Sequence, residues 1–151
     1  MSLIERVAQD LTLAMKAQDA PRVSVLRMAK AALKNREIEK KASLDDTEAA
    51  RVLQGLVKQR EDSIEQYQRA SRTDLADKER AEVGVLNSYL PESASESEIQ
   101  AAVEKAVAET GAASPKDIGR VMKAALASLA AAGRPADGRR VNEVAKQRLG
   151  A

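Results

Sequence analysis

Apolar residues recur along this chain at intervals of three and four, and that period predicts helices from one end to the other. Ile4, Val7, Ala8, Leu11 and Met15 share one face of the first, and Ser2 precedes Glu5 by the three-residue spacing of a capping box. Asp19-Ala20-Pro21 breaks the pattern, and a second helix resumes with Pro21 in its first turn and reaches Lys41, burying Val25, Leu26, Ala29, Ala32 and Leu33. Asp45, three residues before Glu48, opens a long third helix carrying Ala49, Leu53, Leu56, Val57, Ile64 and Tyr67. Thr73-Asp74 is expected to cap a fourth through Leu75, Val83, Leu86 and Tyr89. Arg60 falls inside the third helix's apolar stripe. Its stem is expected to pack while the guanidinium reaches water or a carboxylate.

Leu90-Pro91 closes this half, because proline drives the preceding residue out of the helical region, and the small and polar residues to Ser97 follow. Two domains are expected, 1–91 and 92–151. In the second, Ser95 and Glu98 form another capping box before Ile99, Ala102, Val103, Ala106 and Val107. Gly111 stops that helix, and Ser114-Pro115 supplies an N-cap oxygen and a first-turn proline for the next. Ile118, Val121, Met122, Ala125 and Leu129 line one side of this sixth helix; Gly119 on its flank costs about 1 kcal/mol against alanine, which predicts a neighbouring helix in close approach. After the loop 130–138, Asp137 caps a last helix holding Val141, Val144, Ala145 and Leu149. No segment alternates with period two, so the fold class is all-α: an N-terminal helical bundle and a C-terminal three-helix module.

Composition removes more chemistry than it offers. Without histidine or cysteine the chain has no imidazole base, no thiolate nucleophile and none of the usual zinc ligands, and no phosphate-binding glycine loop or nucleophile elbow occurs. No catalytic residue, cofactor or metal is therefore expected. Glu37, Glu39, Glu61, Asp62 and Glu65 are expected to be solvated helix faces. The absence of cysteine, of a leader pattern at Met1 and of a long apolar run points to the cytoplasm.

Net charge is only +2, but it is distributed unevenly. From Gly111 onward there are eight basic residues against three acidic, and between Arg22 and Lys41 seven against two. On the second helix Arg27, Lys30, Lys34 and Lys41 fall within about 60° of one another, a basic face opposite the buried one. In the C-terminal module Arg120 and Lys123 rotate away from the sixth helix's apolar stripe, Arg139 and Lys146 away from the seventh's, and Arg134 stands between them. These five are the candidate nucleic-acid-binding residues. Neither tyrosine lies in this module, so recognition would follow shape and phosphate position rather than base stacking.

The run Thr110-Gly-Ala-Ala-Ser-Pro-Lys-Asp-Ile-Gly-Arg-Val-Met122, with Gly133-Arg134, Asp137-Gly138 and Val141, resembles the C-terminal motif of the YqeY family, which is shared with the tail of the B subunit of tRNA-dependent amidotransferase. Arg22 to Ile38, Val57 to Tyr67 and Tyr89-Leu90-Pro91 resemble the parts that set stand-alone YqeY proteins apart from that tail. The resemblance implies a two-domain, all-helical protein whose C-terminal module corresponds to a tRNA-contacting piece. Carbon–nitrogen ligase activity with glutamine as amido donor would describe the amidotransferase, whose catalytic domain this chain lacks. Three classes of function follow: an accessory module binding tRNA or another structured RNA, an adaptor docking on an amidotransferase, an aminoacyl-tRNA synthetase or another translation component, and an enzyme of unrecognised type.

Overall fold

The computed structural model describes residues 1–150, and every regular element among them is helical: α1 Leu3–Lys16, α2 Ala20–Lys40, α3 Asp46–Arg69, α4 Thr73–Asn87, α5 Glu96–Thr110, a 3-10 turn Pro115–Asp117, α6 Ile118–Ala131 and α7 Gly138–Leu149. The all-α expectation holds. The chain divides into two compact units, Met1–Leu90 and Pro91–Ala151.

The capping boxes start three helices where the sequence places them. Ser2, Asp45 and Ser95 accept from the backbone N–H of Glu5, Glu48 and Glu98, and each glutamate reaches back to the cap's own N–H. In the first unit α1 packs on α2, and α3 folds back on α4. Leu26, Leu33, Leu53 and Leu86 fill the centre with Val7 and Val25. Polar contacts at the edge of that core then fix the helices. Asp46 accepts from the Leu3 N–H at 2.9 Å, and the Tyr89 hydroxyl donates to Asp10 while Arg6 lies 5.3 Å over its ring. Burial, and then the Asp10 carboxylate, push the Tyr89 hydroxyl up to about 12, so it remains a donor throughout the neutral range.

Arg60 is buried, and it pairs rather than reaching water. Its Nε donates to Glu82 at 3.0 Å, one terminal nitrogen to the Leu56 carbonyl at 3.1 Å and the other to the Met28 sulfur at 3.3 Å. One guanidinium thereby ties α3 to both α4 and α2. Beside it, burial and then the Glu82 charge raise the pKa of Glu79.

Two local expectations fail. Thr73 and Asp74 do not cap α4: the three-residue connection turns sharply through Ser71 at φ 56°, so the cap position falls on Arg72, which offers no acceptor and pairs with Asp74 instead. The glycine in α6 marks no close approach. Gly119 is exposed, and a methyl group built there would meet nothing within 4 Å.

Candidate nucleic-acid interface

In the second unit α5, α6 and α7 pack around Ile99, Val103, Val121, Ala125, Val141 and Ala145. Gly111 ends α5 at φ 66°, the left-handed turn expected of it. Ser114 is the N-cap and Pro115 stands in the first turn as expected, but of a 3-10 turn that precedes α6, where the Asp117 carboxylate gathers the loose donors. It accepts from the N–H of Ala113 at 3.1 Å and of Ser114 at 3.4 Å.

At the other end of α6, Gly133 at φ 71° lets Arg134 N–H return to the Leu129 carbonyl at 2.9 Å, and Gly133 N–H reaches Ala130, closing the helix in a Schellman turn. The turn aims Arg134 at the start of the unit. Its Nε and one terminal nitrogen each reach Glu98 at 2.7 Å, a two-pronged pair, and the other nitrogen reaches Glu92 at 3.2 Å. Next to it, the Ala94 N–H donates to the Pro135 carbonyl at 2.8 Å, and the Ala94 side chain is buried. The α6–α7 loop is thus latched to the segment preceding α5. The Arg134 guanidinium, with the Ser95 hydroxyl behind it, holds the Glu98 carboxyl at about 2, well below its ordinary 4.5, and the two carboxylates in turn raise the pKa of Arg134.

Two further arginines clamp α7 to α5. Arg140 pairs with Glu96, and Arg148 Nε reaches Glu104 at 2.5 Å. Both pairs span 44 residues, so α5 and α7 run parallel and in register. That register orients α7. Arg139 and Lys146 lie about 140–160° around the helix from the buried Val141, whereas Arg140 and Arg148 lie on the flank turned to α5. The two unpaired cations therefore occupy the flank away from α5, with Glu143 between them in sequence.

The five candidates divide accordingly. Arg134 is committed to Glu92 and Glu98; Arg120 is exposed but donates to Asp117 at 2.5 Å and to the Thr110 carbonyl at 3.5 Å. Lys123, Arg139 and Lys146 are exposed and form no ion pair among the described residues. The fastening roles of Arg134, Arg140 and Arg148 were missed from sequence. For Arg140 and Arg148 the signal was the equal 44-residue offset from Glu96 and Glu104, which has meaning only once α5 and α7 are known to be parallel. Among the described residues no group of three or more acidic side chains could hold a metal. No described helix is long and apolar enough to cross a membrane.

The chain is 32% identical over 115 residues, 74% of its length, to altered inheritance of mitochondria protein 41, mitochondrial, of Lachancea thermotolerans. It is 33% identical over 93 residues, 60% of its length, to the protein of that name in Candida glabrata. It is 29% identical over 151 residues, 99% of its length, to the one in Pyrenophora tritici-repentis. The match spans 62%, 51% and 82% of those proteins in turn, so two of the three are much longer than the part matched here. The mitochondrial names belong to those relatives, so similarity to them does not place this chain in the cytoplasm. A sequence model of the Yqey-like protein family matches residues 4–149, nearly the whole chain, and the protein belongs to that family.

Proposed function

We propose that this chain is a non-catalytic, cytoplasmic accessory module that holds structured RNA such as tRNA through its second unit, acting beside an amidotransferase, a synthetase or another component of translation. In this reading residues 1–91 and 92–151 are separate domains, and only the second touches RNA. The observation that carries it is the division of the cations. Four arginines of the second unit are occupied by carboxylates, whereas Lys123, Arg139 and Lys146 stand exposed and form no ion pair among the described residues. Unpaired cations on stiff helices attract phosphates without first surrendering an internal ion pair. With no aromatic side chain in the unit, contact is made to the backbone and follows RNA shape. Arg120 stands beside Lys123 and contributes less, since its charge is shared with Asp117.

A titration of folded tRNA against the full chain at several salt concentrations tests this. Three phosphate contacts predict a log–log salt slope of roughly −2 to −3, and replacing Lys123, Arg139 and Lys146 with alanine should abolish it. Absence of binding at low salt, or binding unchanged in the triple variant, overturns the reading.

A further inference from the structure

The first unit carries a different surface. Five large apolar side chains stand exposed, and all belong to the first 38 residues: Met1, Leu13, Met15, Met28 and Ile38. At the α1–α2 corner an open hollow is lined by Met15 and Gln18 from one side and by Ala20, Val23, Ser24 and Arg27 of α2 from the other. The α2 wall of that hollow continues as the outward face of the helix. With Arg27 as reference, Ala31, Lys34 and Ile38 lie within about 40° of it and Lys30 about 60° to one side, opposite the buried Val25, Leu26, Ala29 and Leu33. From Ala20 to Ile38 this strip is about 27 Å long.

Its charge is of one sign. Arg27, Lys30 and Lys34 form no ion pair among the described residues, while Arg36 and Lys40, which lie off the strip, pair with Glu39 and Glu48. The helix's two acids, Glu37 and Glu39, fall about 80° and 120° from Arg27. A cationic strip with an apolar seat at one end and an exposed isoleucine at the other does not match a phosphate backbone, which has no use for Met15, Val23 or Ile38. It matches a helix bearing both apolar and acidic residues.

We propose that this face docks an acidic amphipathic helix of a partner protein. Apolar side chains of the partner seat in the Met15–Val23 hollow and against Ala31 and Ile38, and its carboxylates meet Arg27, Lys30 and Lys34. The hollow and strip give affinity and register, and the cations reject basic or neutral helices of the same shape.

The probe is a fluorescein-labelled synthetic helix of about three heptads, leucine at core spacing with glutamate beside it, compared with a scrambled isomer of equal composition and with folded tRNA. Fluorescence anisotropy with the full chain should show the amphipathic peptide bound at least about tenfold more tightly than its isomer. Arg27→Glu with Lys34→Glu should weaken the peptide by about tenfold or more, and Met15→Ser by about threefold, at unchanged circular dichroism. Ala31→Glu, an exposed single change in the middle of the strip, should also weaken it and serves if the double variant misfolds. Equal binding of the two peptides, indifference to these changes, or a double variant that loses tRNA binding with no peptide bound would overturn the proposal. The last outcome would make the strip a nucleic-acid surface.

Discussion

The two units use their arginines differently. The first buries one arginine at a three-helix junction and leaves a strip of α2 cations without partners, next to exposed apolar side chains. Among its described residues the second buries no arginine and leaves no large apolar side chain exposed, and it uses Arg134, Arg140 and Arg148 at its rim to tie elements far apart in sequence. Basic residues are therefore no guide to binding until their partners are known. Most arginines of the second unit are fasteners, whereas Arg27, Lys30 and Lys34 of the α2 strip form no ion pair among the described residues.

Breaking the buried fastener should have the largest effect. Arg60→Ala leaves Glu82 inside the first unit without its partner, and urea denaturation should show a loss of about 3 kcal/mol. Adding Glu82→Ala should cost much less than the sum of the single changes, as expected for groups in direct contact. The half-exposed latch of the second unit is weaker: Arg134→Ala should lower its melting temperature by roughly 2–4 °C. Acid sharpens that difference. Because the folded Glu98 carboxyl is held at about 2 against an ordinary 4.5, its contribution is complete above the ordinary value and disappears as pH falls from there toward 2. Arg134→Ala should remove that part of the acid-induced loss, which a melting series in this range would read.

Smaller changes sharpen the contrast further. Gly119→Ala should stabilise the second unit by about 0.5–1 kcal/mol in thermal denaturation, since the methyl group meets nothing and the helix gains from it. Arg148→Ala, which breaks an exposed pair with Glu104, should cost no more than about 0.5 kcal/mol by the same measurement.

Helix placement was legible because capping and burial are local: Ser2, Asp45, Ser95 and Gly111 each act within a few residues of themselves. The start of α4 was not, because Ser71 adopts a left-handed conformation that its residue type does not announce, and that moved the cap to Arg72. Gly119 misled because propensity states what a glycine costs and says nothing of what stands beside it. Of the candidate site, rotation alone showed that Lys123, Arg139 and Lys146 point outward. It could not show that Arg134 closes on Glu98, a contact that depends on the Gly133 turn and on how the loop meets the segment before α5. Side-chain partners across long sequence distances are a tertiary property, and periodicity carries no information about them.

The division between fastening and free cations is tested most directly by measuring stability and tRNA affinity together in two variants of the full chain, Arg134→Ala and the alanine triple at Lys123, Arg139 and Lys146. The account predicts that Arg134→Ala lowers the melting temperature and leaves affinity at low salt unchanged, while the triple variant keeps its melting temperature and loses affinity. The reverse pattern, with affinity following Arg134 and stability following the lysines, would contradict it.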